Sequence, residues 1–185
     1  MRLSDAEKLI LVMLSDIYQK LGIEDEIDPE FVKEAIYSGR TWGLRWKYPG
    51  IFGAGEHEPD PPEVKEAADI LDMWELVERA YARLTVEEKE SIATEVEPWD
   101  RNVQFLGFDA NNEGAYFSIA MFFIDDMGKF SGFKGRDLNS HWPVLSGYRR
   151  MLAVFGPMRK TLDRTLLSAA QLVELLQAYK ADRAF

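Results

Sequence analysis

The chain has 185 residues, 46% hydrophobic and 29% charged, with a formal charge of −10 and a pI near 4.8. That balance weighs against nucleic acid and anionic membrane surfaces as partners, since both call for basic patches. Cysteine is absent, which excludes disulfides and thiolate chemistry, and the length supports one domain, 1–185, with a substantial core.

The N-terminus turns polar at once and has no signal-peptide apolar region, so a cytoplasmic protein is expected. Ser4 and Glu7 form a capping box that starts the first helix. Ile10, Met13, Leu14, Ile17 and Leu21 then recur on one helical face before Gly22 stops it. Asp28-Pro29 opens a second helix with proline at the first helical position, Gly39 closes it, and Phe31, Ala35 and Ile36 form its buried side.

Residues 40 to 61 carry several glycines and large aromatic residues without a sustained period. The spacing predicts a short helical turn over Trp42 to Lys47 followed by an ordered loop. Asp60-Pro61-Pro62-Glu63 predicts a capped start for the longest helix, running to about Leu84. Ile70, Met73, Trp74, Val77, Tyr81 and Leu84 face inward. This helix is apolar around more than one face, so it could serve both the core and a two-fold homodimer.

Thr85 and Glu88 make another capping box, and the helix they start ends before Pro98. The central feature is the run Ala115 to Ile124, in which only Ser118 is polar. A helix apolar on every side belongs inside a protein, and this one is about half the length needed to span a bilayer. Asp109 is its expected N-cap and Gly128 its stop. Val144, Leu145, Tyr148, Met151, Leu152 and Phe155 predict a helix ended by Gly156-Pro157, and Ser168 with Gln171 caps the last. No period-2 strand is visible, so the fold class is all-α, with roughly seven helices around a central hydrophobic helix near 110–127.

No nucleophile elbow, phosphate loop or dinucleotide fingerprint is present, and no catalytic residue, metal or cofactor is assigned. Glu56-His57-Glu58 has no partner at metal-ligand spacing, and His141 beside Trp142-Pro143 reads as structural. Asp109, Asn111, Glu113 and Gly114 imitate the start of a calcium loop, but position twelve is Ala120 where a bidentate glutamate is required. Two groups are candidates for ligand binding. Trp42, Arg45, Trp46 and Tyr48 supply aromatic faces and a cation, while Asp109, Asn111 and Asn112 supply polar groups at a helix start. A composite pocket between them is expected to take an anionic planar ligand, although the aromatics also fit a satellite core with Arg45 reaching to water.

With these residues in hand, the chain resembles the YfbU family of bacterial proteins. The resemblance lies in Leu9-Ile10-Leu11, in Gly39 with Gly43-Leu44, and above all in Phe105-Leu106-Gly107-Phe108-Asp109-Ala110 with Glu113 and Tyr116. Tyr148-Arg149-Arg150-Met151-Leu152 and the capped last helix also fit, so nearly the whole chain is covered. The resemblance implies an all-α fold and no agreed activity. A non-catalytic domain recognising a small ligand or a protein partner is the expected function. The alternatives are an enzyme using Asp109 or Glu113 with Asn112 in a pocket between helices, and a purely structural interaction module.

Overall fold

A computed structural model describes residues 2–52, 59–96, 102–162 and 166–180. Among the described residues there are nine α-helices and no strand; an isolated backbone bridge pairs Phe108 with Asn139. None of these helices is long and apolar enough to cross a membrane. The chain divides into two compact units, residues 1–62 with 125–128, and residues 63–124 with 129–185. Glu56-His57-Glu58 and Pro98 lie outside the described residues.

The first unit holds α1 (Asp5–Lys20), α2 (Pro29–Tyr37), α3 (Trp42–Lys47) and α4 (Pro49–Phe52). The Ser4–Glu7 capping box is made in both directions, and the Asp28 carboxylate accepts the amides of Glu30 and Phe31 at 3.1 Å to start α2. Gly22 and Gly39 take the left-handed conformation that ends each helix. α2 buries Phe31, Val32, Ala35 and Ile36. α1 packs on α2: Ser15 is buried and Leu11, Val12 and Tyr18 are half-buried, while Lys33 bridges to Asp16 and Gln19. A second apolar face, with Ile10, Met13, Leu14 and Ile17, is open to solvent.

The second unit contains nearly all of α5 (Pro62–Ala82), then α6 (Val86–Glu95), α7 (Gly114–Met121), α8 (Leu145–Arg159) and α9 (Ala169–Lys180). Ile70, Met73, Trp74 and Val77 on α5 are 0% exposed. They are core, which removes them as a surface for a second chain. Trp74 meets Tyr148 at 5.6 Å and Phe105 at 6.1 Å, and Phe105 in turn meets Phe108 and Phe133. Buried aromatics at such separations contribute beyond their area.

The run expected to be central is buried along most of its length, with Tyr116, Ile119, Ala120, Phe122, Phe123 and Ile124 shielded from solvent. Two details differ from expectation. α7 begins at Gly114, not after Asp109, and it passes into a π-helical turn over Phe122–Asp126 before Gly128 stops it in the left-handed region. α8 runs through Gly156-Pro157 to Arg159. A proline in the last turn removes one backbone donor, and the helix continues past it because its packed face outweighs that loss.

Candidate functional site

The four aromatic and basic candidates of the first unit sit on α3 and just after it. Trp42 is buried and meets Trp46 edge-on at 6.2 Å. Arg45 forms an ion pair with Asp60, whose other oxygen accepts the Trp46 indole N–H at 2.9 Å. The Tyr48 hydroxyl accepts the Asp28 amide at 2.9 Å, and Lys47 reaches the Asp28 carboxylate at 2.8 Å while lying 4.1 Å over the Phe31 ring. Burial alone would raise the Asp28 carboxyl, but Lys47 and the amides of Phe31 and Glu30 outweigh it and hold the group below its usual range. Thus Arg45, Trp46 and Tyr48 each engage an aspartate or its backbone within their own unit. The sequence marks both aspartates as helix-start residues, and the second role is invisible to local pattern.

The polar candidates of the second unit form a turn ahead of α7. Asp109 is 1% exposed; one oxygen accepts the Asn111 amide at 2.9 Å and the other accepts the Asn112 side chain. The Asn112 contact is the chief reason its carboxyl lies below the usual range. Asp109 therefore closes a local turn instead of capping α7. Asn111 and Asn112 are exposed.

Glu113 carries the larger role. One of its oxygens accepts the Asp109 amide at 3.0 Å, and the other accepts the amides of Val144 and Leu145 at 2.8 and 2.7 Å. The carboxylate thus caps the start of α8, some thirty residues further along the chain, where a negative charge also meets the positive end of the helix. The sequence holds one signal for this. α8 has Val144 at its N-cap and no side-chain cap of its own, so its first amides need an acceptor from elsewhere. Glu113→Ala is expected to leave three amides without their acceptor and to cost about 3 kcal/mol in urea denaturation, with Glu113→Gln losing roughly half as much. An unchanged midpoint would remove the cap.

Acid–base work needs a carboxylate whose oxygens can reach a substrate; those of Glu113 accept backbone amides, and those of Asp109 accept the Asn111 amide and the Asn112 side chain. A third carboxylate, Glu66, takes Arg149 Nε at 2.7 Å and Nη2 at 2.9 Å and accepts the Tyr116 hydroxyl. Arg149 is the main reason the Glu66 carboxyl is lowered. Glu66 and Asp28 hold their protons less tightly when folded. Their contribution is therefore present at neutral pH and is lost progressively below about pH 4. Asp126 has the opposite sign: partial loss of hydration, then Glu34 and Asp125, raise it, so its contribution improves as pH falls. Melting temperature is expected to fall on acidification, less so in Arg149→Met and more steeply in Asp126→Asn. An acid limb that Arg149→Met leaves unaltered would contradict the assignment.

Two further features are not marked by any motif. In the second unit a cleft of about 390 Å³ is lined by Phe105, Leu106, Arg136, Asn139, His141 and Trp142. Arg136 is fixed there by Glu78 at 2.9–3.0 Å and by the Phe105 carbonyl at 2.9 Å. His141 has φ of 60°, a conformation costly for a residue with a side chain, and the Asn139 side chain accepts its amide at 3.1 Å. The Trp142 ring is half exposed beside it.

The other feature is the outer face of α1. Leu9, Ile10, Met13, Leu14, Ile17 and Leu21 are between 51% and 69% exposed, and Ile23 just beyond is 44% exposed. Scattered surface leucines are ordinary; a contiguous apolar stripe along a whole helix is not.

Residues 1–178 match the family model of the YfbU domain. A UPF0304 protein of Methanocaldococcus jannaschii is 30% identical over 158 residues, which cover 83% of this chain and 87% of that protein.

Proposed function

The chain belongs to the YfbU family, and we propose that it acts as a non-catalytic interaction and regulatory domain, working in the cytoplasm and recognising another protein through α1. One observation carries this reading: the apolar stripe of α1 is exposed in the single chain, while the carboxylates an enzyme would use are engaged by backbone amides and the Asn112 side chain. Exposed patches of this kind mark sites where a partner covers the surface. The test is a photo-crosslinking residue placed at Leu14 in protein produced in its native host, with one at exposed Glu90 as control. A discrete protein adduct from position 14 and none from position 90 is expected. Failure to form any adduct at 14 removes the interaction reading.

A small planar ligand is the second reading, and the cleft beside Trp142 favours it. Ligand pockets combine an aromatic wall with a few placed polar groups, and this cleft has Phe105, Trp142, Asn139 and His141 so arranged. Native mass spectrometry of protein purified from its host should then show a bound molecule that Trp142→Ala fails to retain. Identical unliganded spectra from the two proteins would dispose of this reading.

A further inference from the structure

We propose that the partner covering α1 is a second copy of this chain, the two α1 helices packing antiparallel about a two-fold axis. This rests on the interaction reading above and names its partner.

The first argument is area. The five exposed apolar residues of α1, with Leu21 and Ile23 just beyond it, present on the order of 100 Å² each, so roughly 700 Å² per copy and about 1,400 Å² for the pair. Stable, specific interfaces begin near 1,200 Å² in total, and this stripe reaches that size.

The second argument is charge. The whole chain carries −10, so most of its surface repels a second copy. α1 itself carries little of that charge. Its charged residues are Asp5, Glu7 and Asp16 against Lys8 and Lys20, a net of −1, with Glu7 and Asp16 flanking the stripe and Lys20 near its C-terminal end. Two copies can therefore approach there with little repulsion. A nucleic-acid or anionic-lipid surface finds no such match, because an anionic surface is repelled by the chain as a whole.

The third argument is pattern. Ile10, Met13, Leu14, Ile17 and Leu21 follow the spacing of a helix–helix seam, and such a seam is complementary to itself. An isologous two-fold contact needs only one patch, which this chain possesses. The antiparallel sense sets the helix dipoles in opposition, and that favours it over the parallel one.

The experiment uses the full chain. Light scattering and sedimentation from about 1 to 100 µM should give twice the chain mass, and Met13→Glu/Ile17→Glu should weaken association at least about 100-fold. Because that face is open to solvent in the single chain, helical circular dichroism and the urea midpoint of the monomer should stay unchanged. If the glutamate pair disturbs folding, Met13→Ser/Ile17→Ser gives the same readout by a milder route. The chain has no cysteine, so orientation can be read directly: Met13→Cys, near the helix middle, should form an intermolecular disulfide, and Leu21→Cys, near its end, should not. A monomer at 100 µM, a dimer indifferent to both substitution pairs, or efficient crosslinking of Leu21→Cys overturns the proposal. A monomer that still yields an adduct of another mass at Leu14 overturns the second copy alone, whereas a monomer with no adduct defeats the interaction reading as well.

Discussion

Phe123→Asp is expected to unfold this chain. Phe123 is 0% exposed and its ring meets Phe130 edge-on at 5.9 Å. It lies in the π-helical turn over Phe122–Asp126, and its carbonyl accepts the Lys129 amide at 2.8 Å, so the backbone gives the side chain no route to water. Replacing it forfeits about 2–3 kcal/mol of apolar burial. A carboxylate without a partner in the same place adds several more through lost hydration. Together these exceed about 5 kcal/mol, comparable to the whole stability of a domain of this size. Loss of the cooperative urea transition, or recovery only in the insoluble fraction, is the expected result, with Phe122→Asp behaving alike. Phe123→Leu keeps the apolar character and should cost about 1 kcal/mol. Soluble Phe123→Asp protein with a wild-type midpoint would show that the central run is not core.

Gly107→Ala should be nearly as damaging, for a different reason. Gly107 has φ of 82°, which L side chains avoid, and a Cβ there would fall on the backbone oxygen, carbon and Cα of Leu138. Backbone atoms cannot step aside as a side-chain tip can. The neighbouring Phe108 amide donates to the Leu138 carbonyl at 2.9 Å, and the Ser140 amide donates to the Phe108 carbonyl at 3.2 Å. Separating the two segments would break both bonds and draw Phe108 out of the aromatic core. A cost of about 4 kcal/mol is expected by chemical denaturation, combining strain with disrupted packing. Gly114→Ala is the control: it lies in α7 with open space around it, and alanine there should be neutral or stabilising by roughly 0.5–1 kcal/mol. Equal effects from the two substitutions would mean that the close approach at Leu138 does not exist.

Gly107 sits in the Phe-Leu-Gly-Phe-Asp-Ala run through which the chain resembles its family, yet the run itself does not say why a glycine is needed. The same division holds throughout. Start and stop signals are local: the Ser4–Glu7 and Thr85–Glu88 boxes, Asp28-Pro29, Gly22, Gly39 and Gly128 all act where the residues place them. Each works through hydrogen bonds or dihedral preferences within a few residues, so neighbouring letters suffice to read it. The all-helical class and the burial of most of the run from Tyr116 to Ile124 follow from the same short-range chemistry.

What periodicity cannot say is which face meets which neighbour. The stripe of α1 and the stripe of α5 look alike as patterns, but α5 is enclosed and α1 is open, because enclosure depends on elements distant in sequence. Side-chain hydrogen bonds across the chain are equally hidden. Glu113 looks like a residue near the start of its own helix, and folding turns it to the start of α8; Asp60 looks like a cap, and folding brings Arg45 and Trp46 onto it. A buried amide or guanidinium must find an acceptor, but any carboxylate brought within reach will serve. Proximity of that kind is created only when the chain is compact, which is why these roles lie beyond local pattern.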